Sequence, residues 1–234
     1  NLRCPSCRKQ LLFLSNSEDP LDKNRVAEYE RRKRFADKIN EWLETYYYPL
    51  QVHIGSDGDP FASHIYRHFM EHTPRRDNIK YSILTNALMF ESFHERVPHI
   101  INNLQELGVS IDGASKQTYE KLRLGGNWEK INQNLQCISE LKQKHNFRFI
   151  LHFVVQKDNY HEMEDIIQLG KQYNADRVWL NKMEDWNVIE NFSDINIFSA
   201  EHPLHEDYRQ TLQKIKPYLG VEKNPHVEIT TLNI

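Results

Sequence analysis

Cysteine is scarce: the 234 residues hold only 3, Cys4, Cys7 and Cys137. That is too few to staple a disulfide framework, which fits a reducing compartment and sets the expectation of a cytoplasmic protein. No apolar run approaches the roughly 20 residues needed to span a bilayer, and no signal-peptide pattern is visible. An excess of one charge is also missing. The 30 Lys and Arg face 33 Asp and Glu, a net charge of −3, so no basic field points to nucleic acid or a membrane surface. Repeats and low-complexity stretches are absent. What remains is a chain of 39% hydrophobic and 11% aromatic residues, too rich in apolar groups for disorder and long enough to bury a substantial core.

Periodicity organises that chain as strands alternating with helices. A helical pattern runs from about Asp22 to Tyr47, with Val26, Tyr29, Phe35, Ile39, Trp42, Leu43 and Tyr46 as its expected buried face. Pro49 ends it. Leu50 to Ile54 then reads as a strand opening into the glycine-rich, acidic loop Gly55-Ser56-Asp57-Gly58-Asp59-Pro60, with a helix beginning near Phe61. Further strands are expected at Tyr81–Asn86, Gly108–Gly113, Phe147–Gln156, Asp176–Asn181 and Val227–Leu232. The helix before Gly108–Gly113 is expected to use Val97, Ile100, Ile101, Leu104 and Leu107. Such βα alternation predicts a parallel sheet, and ligands of parallel sheets collect at the C-terminal ends of the strands. Those ends carry Asp59, Thr85, Asn86, Ser110, Asp112 and Asn159 among other polar residues, although polar strand ends also serve as ordinary helix caps.

Cys4-Pro5-Ser6-Cys7 holds two thiols two residues apart. Side chains so spaced suit a redox pair, a zinc site or an iron–sulfur site. A redox pair wants a strand upstream, and zinc wants a second Cys/His pair, which Cys137 in its helical stretch does not provide. Weaker candidates are His64, His68 and His72, which share a helix face at four-residue spacing. Solvated faces are the simpler expectation for these histidines and for Arg31-Arg32-Lys33-Arg34. Glu184-Asp185-Trp186 follows the fifth of the strands, where it can contact a ligand or simply pack.

The order of Cys-Pro-x-Cys, Gly-Ser-Asp-Gly-Asp-Pro, Leu-Thr-Asn and Val-Ser-Ile-Asp-Gly-Ala-Ser-x-x-Thr-Tyr-Glu-Lys-x-Arg resembles the radical S-adenosylmethionine (SAM) superfamily. The phrase from Ser110 to Arg123 is similar to the branch that often carries a twitch or SPASM extension. The resemblance implies an α/β fold, a partial (β/α)6 barrel, here one domain over residues 1–234 with 185–234 as a C-terminal extension packed on it. It implies a [4Fe–4S] cluster with Cys4 and Cys7 as two of three thiolate ligands, and a third cysteine and the first strand upstream of Asn1. It also implies SAM bound by Gly58, Asp59, Asn86, Ser110, Asp112, Arg123 and Asn159. The family usually has Glu at Asp59 and Gly at Ala87. The C-terminal third has no cysteine cluster for an auxiliary SPASM centre. Reductive cleavage of SAM to a 5′-deoxyadenosyl radical is the implied activity. Its implied partners are a flavodoxin- or ferredoxin-type electron donor and a small-molecule, sugar or peptide substrate. A non-catalytic (β/α) binding domain without the cluster is the alternative.

Overall fold

The computed structural model describes residues 2, 23–55, 58–185, 187, 189–220 and 225–230. Cys4, Cys7, Ser56, Asp57 and Trp186 lie outside these. Six strands, β1 (Leu50–Ile54), β2 (Ile79–Thr85), β3 (Leu104–Ser110), β4 (Arg148–Val155), β5 (Arg177–Lys182) and β6 (His226–Thr230), form one sheet in sequential order. All pairings are parallel. The sixth strand is supplied by His226–Thr230, which adds to β5.

Sequential order with right-handed crossovers puts every connecting helix on the same face of a sheet. The core shows this face directly. Ile83, Leu107, Phe149, Leu151, Val178 and Val227 are buried against α6 (Trp128–His145), α7 (Met163–Gln172) and α8 (His205–Ile215), through Ile131, Leu135, Ile166, Ile167 and Leu212 among others. The alternate residues face the other way, the inner side of a partial barrel, and they are of a different kind. In register they run His53–Ser82–Glu106–Arg148, then Ser110–His152–Trp179–Glu228. The polar inner face is what positions the site.

Three sequence expectations fail here. Leu104 and Leu107 belong to β3, and the helix before it, α4 (Pro98–Asn102), is a short one. The register shifts between Tyr81↔Leu104 and Ser82↔Glu106, so one extra residue is accommodated in β3. A bulge of this kind puts residues three apart on the same face, and that spacing mimics a helix. The second failure concerns α1 (Lys23–Thr45). Its buried stripe is Tyr29, Ala36, Asn40 and Leu43, whereas Val26 (38%), Phe35 (66%) and Trp42 (50%) are exposed. Helix α1 packs on α2 (His64–His72), and one neighbour covers only one stripe. Asn40 earns its buried place by hydrogen bonding: its amide donates to the Phe69 carbonyl (3.1 Å) and accepts from Thr73 Oγ1 (3.2 Å). Helix α2 itself starts at His64 rather than near Phe61, with the Ser63 hydroxyl capping the Tyr66 N–H.

Among the described residues no helix is long and apolar enough to cross a membrane.

Candidate functional site

Parallel register brings the C-terminal ends of β1 to β5 to one edge, and the sequence-selected residues meet there in two groups. Over β1 and β2 the centre is Asp59. One carboxylate oxygen accepts the Phe61 and Ala62 N–H groups (3.0 and 3.1 Å), and the other accepts Thr85 Oγ1–H (2.6 Å) and the Asn86 N–H (2.7 Å). Thr85 Oγ1 in turn accepts from the Ala87 N–H at 2.9 Å. Asp59 therefore ties the glycine loop to the end of the next strand. Both oxygens are occupied within the protein, so it organises the loop instead of offering a bare acceptor to a ligand ammonium.

The loop around Asp59 needs special backbone. Gly55 sits at φ +102°, and a Cβ there would lie 2.3 Å from the Leu84 carbonyl oxygen. Gly58 has φ +119°, and among the described residues nothing lies within 4 Å of its would-be Cβ. Ala87, where the resemblance leads one to expect glycine, holds φ 58° while fully buried. The left-handed turn is kept without the glycine.

Over β3 and β4 the centre is Asp112, also left-handed at φ 54°. Strand β3 turns away after Ser110, and the Asp112 carboxylate replaces its backbone by accepting the Val154 N–H at 2.9 Å. The other oxygen pairs with Arg123 Nη2 at 2.7 Å, both side chains being about nine-tenths buried. Asn159 completes the group. Its amide donates to the Asp112 and Val154 carbonyls (3.0 and 2.9 Å) and accepts the Gln156 N–H at 2.7 Å, with no exposure at all. The Asn159 side chain is thus consumed in holding the ends of β3 and β4 together. Arg123, expected to meet a ligand carboxylate, spends Nη2 on Asp112.

Glu162 was missed in the sequence. It is buried, and it accepts the Ala114 N–H (2.7 Å), Ser115 Oγ–H (2.6 Å) and Thr118 Oγ1–H (2.6 Å), pinning the loop that follows Asp112. These partners lie more than 40 residues away in sequence, so no local signal marks it. His152 and Trp179 were missed too. They are half-buried neighbours on the inner face with ring centroids 5.0 Å apart. Burial, with the Arg177 charge as a smaller cause, lowers the His152 pKa to about 4. A single polar residue alternating with Phe, Leu and Val in β4 was the available sign. Charge elsewhere on this face is paired, Arg177 with Glu228 and Arg148 with Glu106, each at 2.9 Å.

The histidines of α2 gather no metal set. His68 bonds Asp37 at 2.5 Å, His72 Nδ1–H donates to the His68 carbonyl, and His64 contacts Arg67. Among the described residues no group of three or more metal-ligating side chains is present. Glu184 and Asp185 are exposed. Cys137 is half-buried, and burial is the first cause of its raised pKa.

No family model and no curated protein sequence matches the chain. Solved structures do. Streptococcus suis SuiB bound to S-adenosylmethionine superposes with a TM-score of 0.55 at 16% identity, over 98% of this chain and 47% of SuiB. SuiB bound to its precursor peptide SuiA gives 0.54 at 17% identity, over 99% and 47%. A radical SAM methyltransferase from Sphaerobacter thermophilus gives 0.50 at 12% identity, over 90% of this chain and 57% of that one. The chain thus spans about half the length of the structures it matches. Sheet order, all-parallel pairing and these superpositions together identify the architecture: the chain has the radical SAM fold.

Proposed function

We propose that this chain is the core of a radical SAM enzyme, with SAM bound at the strand-end edge and a [4Fe–4S] cluster held by Cys4, Cys7 and one further cysteine. The observation that carries the reading is the convergence of the glycine loop, Thr85–Asn86, Ser110–Asp112 and Arg123 on one edge of a fold shared with a SAM-bound protein. The donor chemistry fits: thiolates two residues apart, as at Cys4 and Cys7, would suit an iron–sulfur cluster. When bound, the cluster supplies the electron that splits SAM into methionine and a 5′-deoxyadenosyl radical able to take hydrogen from a substrate.

The chain's own residues bind and orient. Gly58, at φ +119°, lets the backbone come close to the methionine end of SAM. Asp59 holds that backbone in place through the Phe61, Ala62 and Asn86 N–H groups. Ser110 points from β3 to the inner face, where its hydroxyl suits the ribose. The Asp112–Arg123 pair is buried, so the guanidinium keeps a fixed direction at this edge, and a guanidinium is the group that suits the carboxylate of SAM. Asn159 and Glu162 act through Asp112 and its loop, as positioning residues. A flavodoxin- or ferredoxin-type donor and a small-molecule, sugar or peptide substrate complete the reading.

Anaerobic reconstitution of the full-length protein with iron and sulfide tests it. The wild type is expected to hold about one four-iron cluster and to bind SAM in equilibrium dialysis, and Cys4→Ala and Cys7→Ala each to lose the thiolate-to-iron absorption. Full iron and sulfide in either variant would overturn the ligand assignment. A wild type that takes up neither cluster nor SAM would make this a non-catalytic (β/α) binding domain.

A further inference from the structure

The inner face holds a polar side chain near the strand ends that the proposed SAM contacts leave unused. His152 stands in register between Ser110 on β3 and Trp179 on β5. A buried or half-buried imidazole is ordinarily hydrogen-bonded, yet among the described residues neither ring nitrogen of His152 has a partner. The backbone beneath it is cut away to admit the ring: a Cβ at Gly108 would sit 2.7 Å from His152 Nε2. At neutral pH the imidazole is uncharged, so it presents one N–H donor and one acceptor nitrogen. Trp179 lies beside it, the two ring planes inclined by 43°. The charged side chains nearest the row, Arg177 and Glu228, neutralise each other at 2.9 Å.

Such a surface favours one chemistry. Arg148 and Arg177 on this face are already paired with Glu106 and Glu228, so an ionic ligand gains little there. A sugar needs several directed hydrogen bonds, and the row offers few. A flat uncharged ring gains stacking area on Trp179 and one hydrogen bond at its edge from His152. We propose that His152 and Trp179 form a recognition platform for an uncharged aromatic ring of the substrate bearing an O–H or N–H group. The proposal rests on reading this edge as the reacting edge, since the platform lies directly below it.

Phenol, toluene, benzoate and methyl glucoside serve as probes, read by the shift of the Trp179 indole N–H signal in NMR of the full-length protein. Phenol is expected to bind about threefold to tenfold more tightly than toluene, the size of one hydrogen bond, and benzoate and the glucoside more weakly than phenol. His152→Phe should erase the preference of phenol over toluene, while His152→Gln, which keeps a hydrogen-bonding edge, should retain it. Trp179→Ala, followed by line broadening of the probes themselves, should weaken both aromatic probes. Benzoate or glucoside binding as well as phenol, an unchanged preference in His152→Phe, or no phenol binding would each overturn the platform. Equilibrium dialysis with SAM separates the two readings. A phenol preference without SAM binding sinks the enzymatic reading and keeps the platform, and SAM binding without the preference does the reverse.

Discussion

Asp59 and His152 are opposite cases of a polar side chain at a site. Asp59 has donors on both oxygens, from Phe61, Ala62, Thr85 and Asn86. An amide in its place turns one of those faces into a donor opposing donors, so Asp59→Asn is expected to lower unfolding free energy by about 2 kcal/mol in urea, without SAM present. Unchanged stability with weakened SAM binding would instead assign direct ligand contact. His152 is expected to leave its mark in pH dependence. Its folded-state pKa of about 4 lies below the ordinary value of about 6.5, so as pH falls the unfolded chain takes up the proton first. Its contribution is therefore full above about pH 6.5 and is lost on the way down to about pH 4, by about 3 kcal/mol in all. Urea midpoints of the wild type and His152→Gln should converge or cross over that window, and parallel curves would show that burial does not depress the imidazole.

At the scale of elements, the turn after β1 separates two demands that glycine meets. Gly55 needs both its left-handed backbone and the absence of a Cβ, which would strike the Leu84 carbonyl. Gly58 needs only the backbone. Gly55→Ala should therefore cost about 3 kcal/mol or more and Gly58→Ala about 1 kcal/mol, measured by denaturant unfolding. Equal costs would mean that the close approach to β2 is relieved by movement. The bulge in β3 carries a different lesson. Leu104 and Leu107 are both buried because the strand gains a residue at this point. Periodicity alone reads that spacing as helix.

Among the described residues the molecule is a one-sided sheet, with its helices outside and its polar face inside. Helix α1 lies at the end of this arrangement, against α2, and its stability follows from which stripe the neighbour covers. Leu43, 1% exposed, should cost about 2–5 kcal/mol when changed to Ala, whereas Trp42→Ser should stay within about 0.5 kcal/mol despite the larger side chain removed. Thermal unfolding of the two variants decides it, and a large loss at Trp42 would mean that a partner surface covers that face.

The alternation of strand and helix and the order of the strand-end motifs are local patterns, and the sequence by itself determined them. A side chain's face follows from a period of two or 3.6 residues, which any short window contains. Only the tertiary structure decided which polar ends remain available. Asp59 meets Thr85 across 26 residues and Asn159 meets Asp112 across 47, so whether a carboxylate or amide is already satisfied depends on neighbours that no window holds. The same reason hid Glu162, whose three partners come from the loop after β3 and the helix that loop opens. It also hid the exposed side of α1, because propensity and pattern mark an apolar residue but not the surface that will cover it.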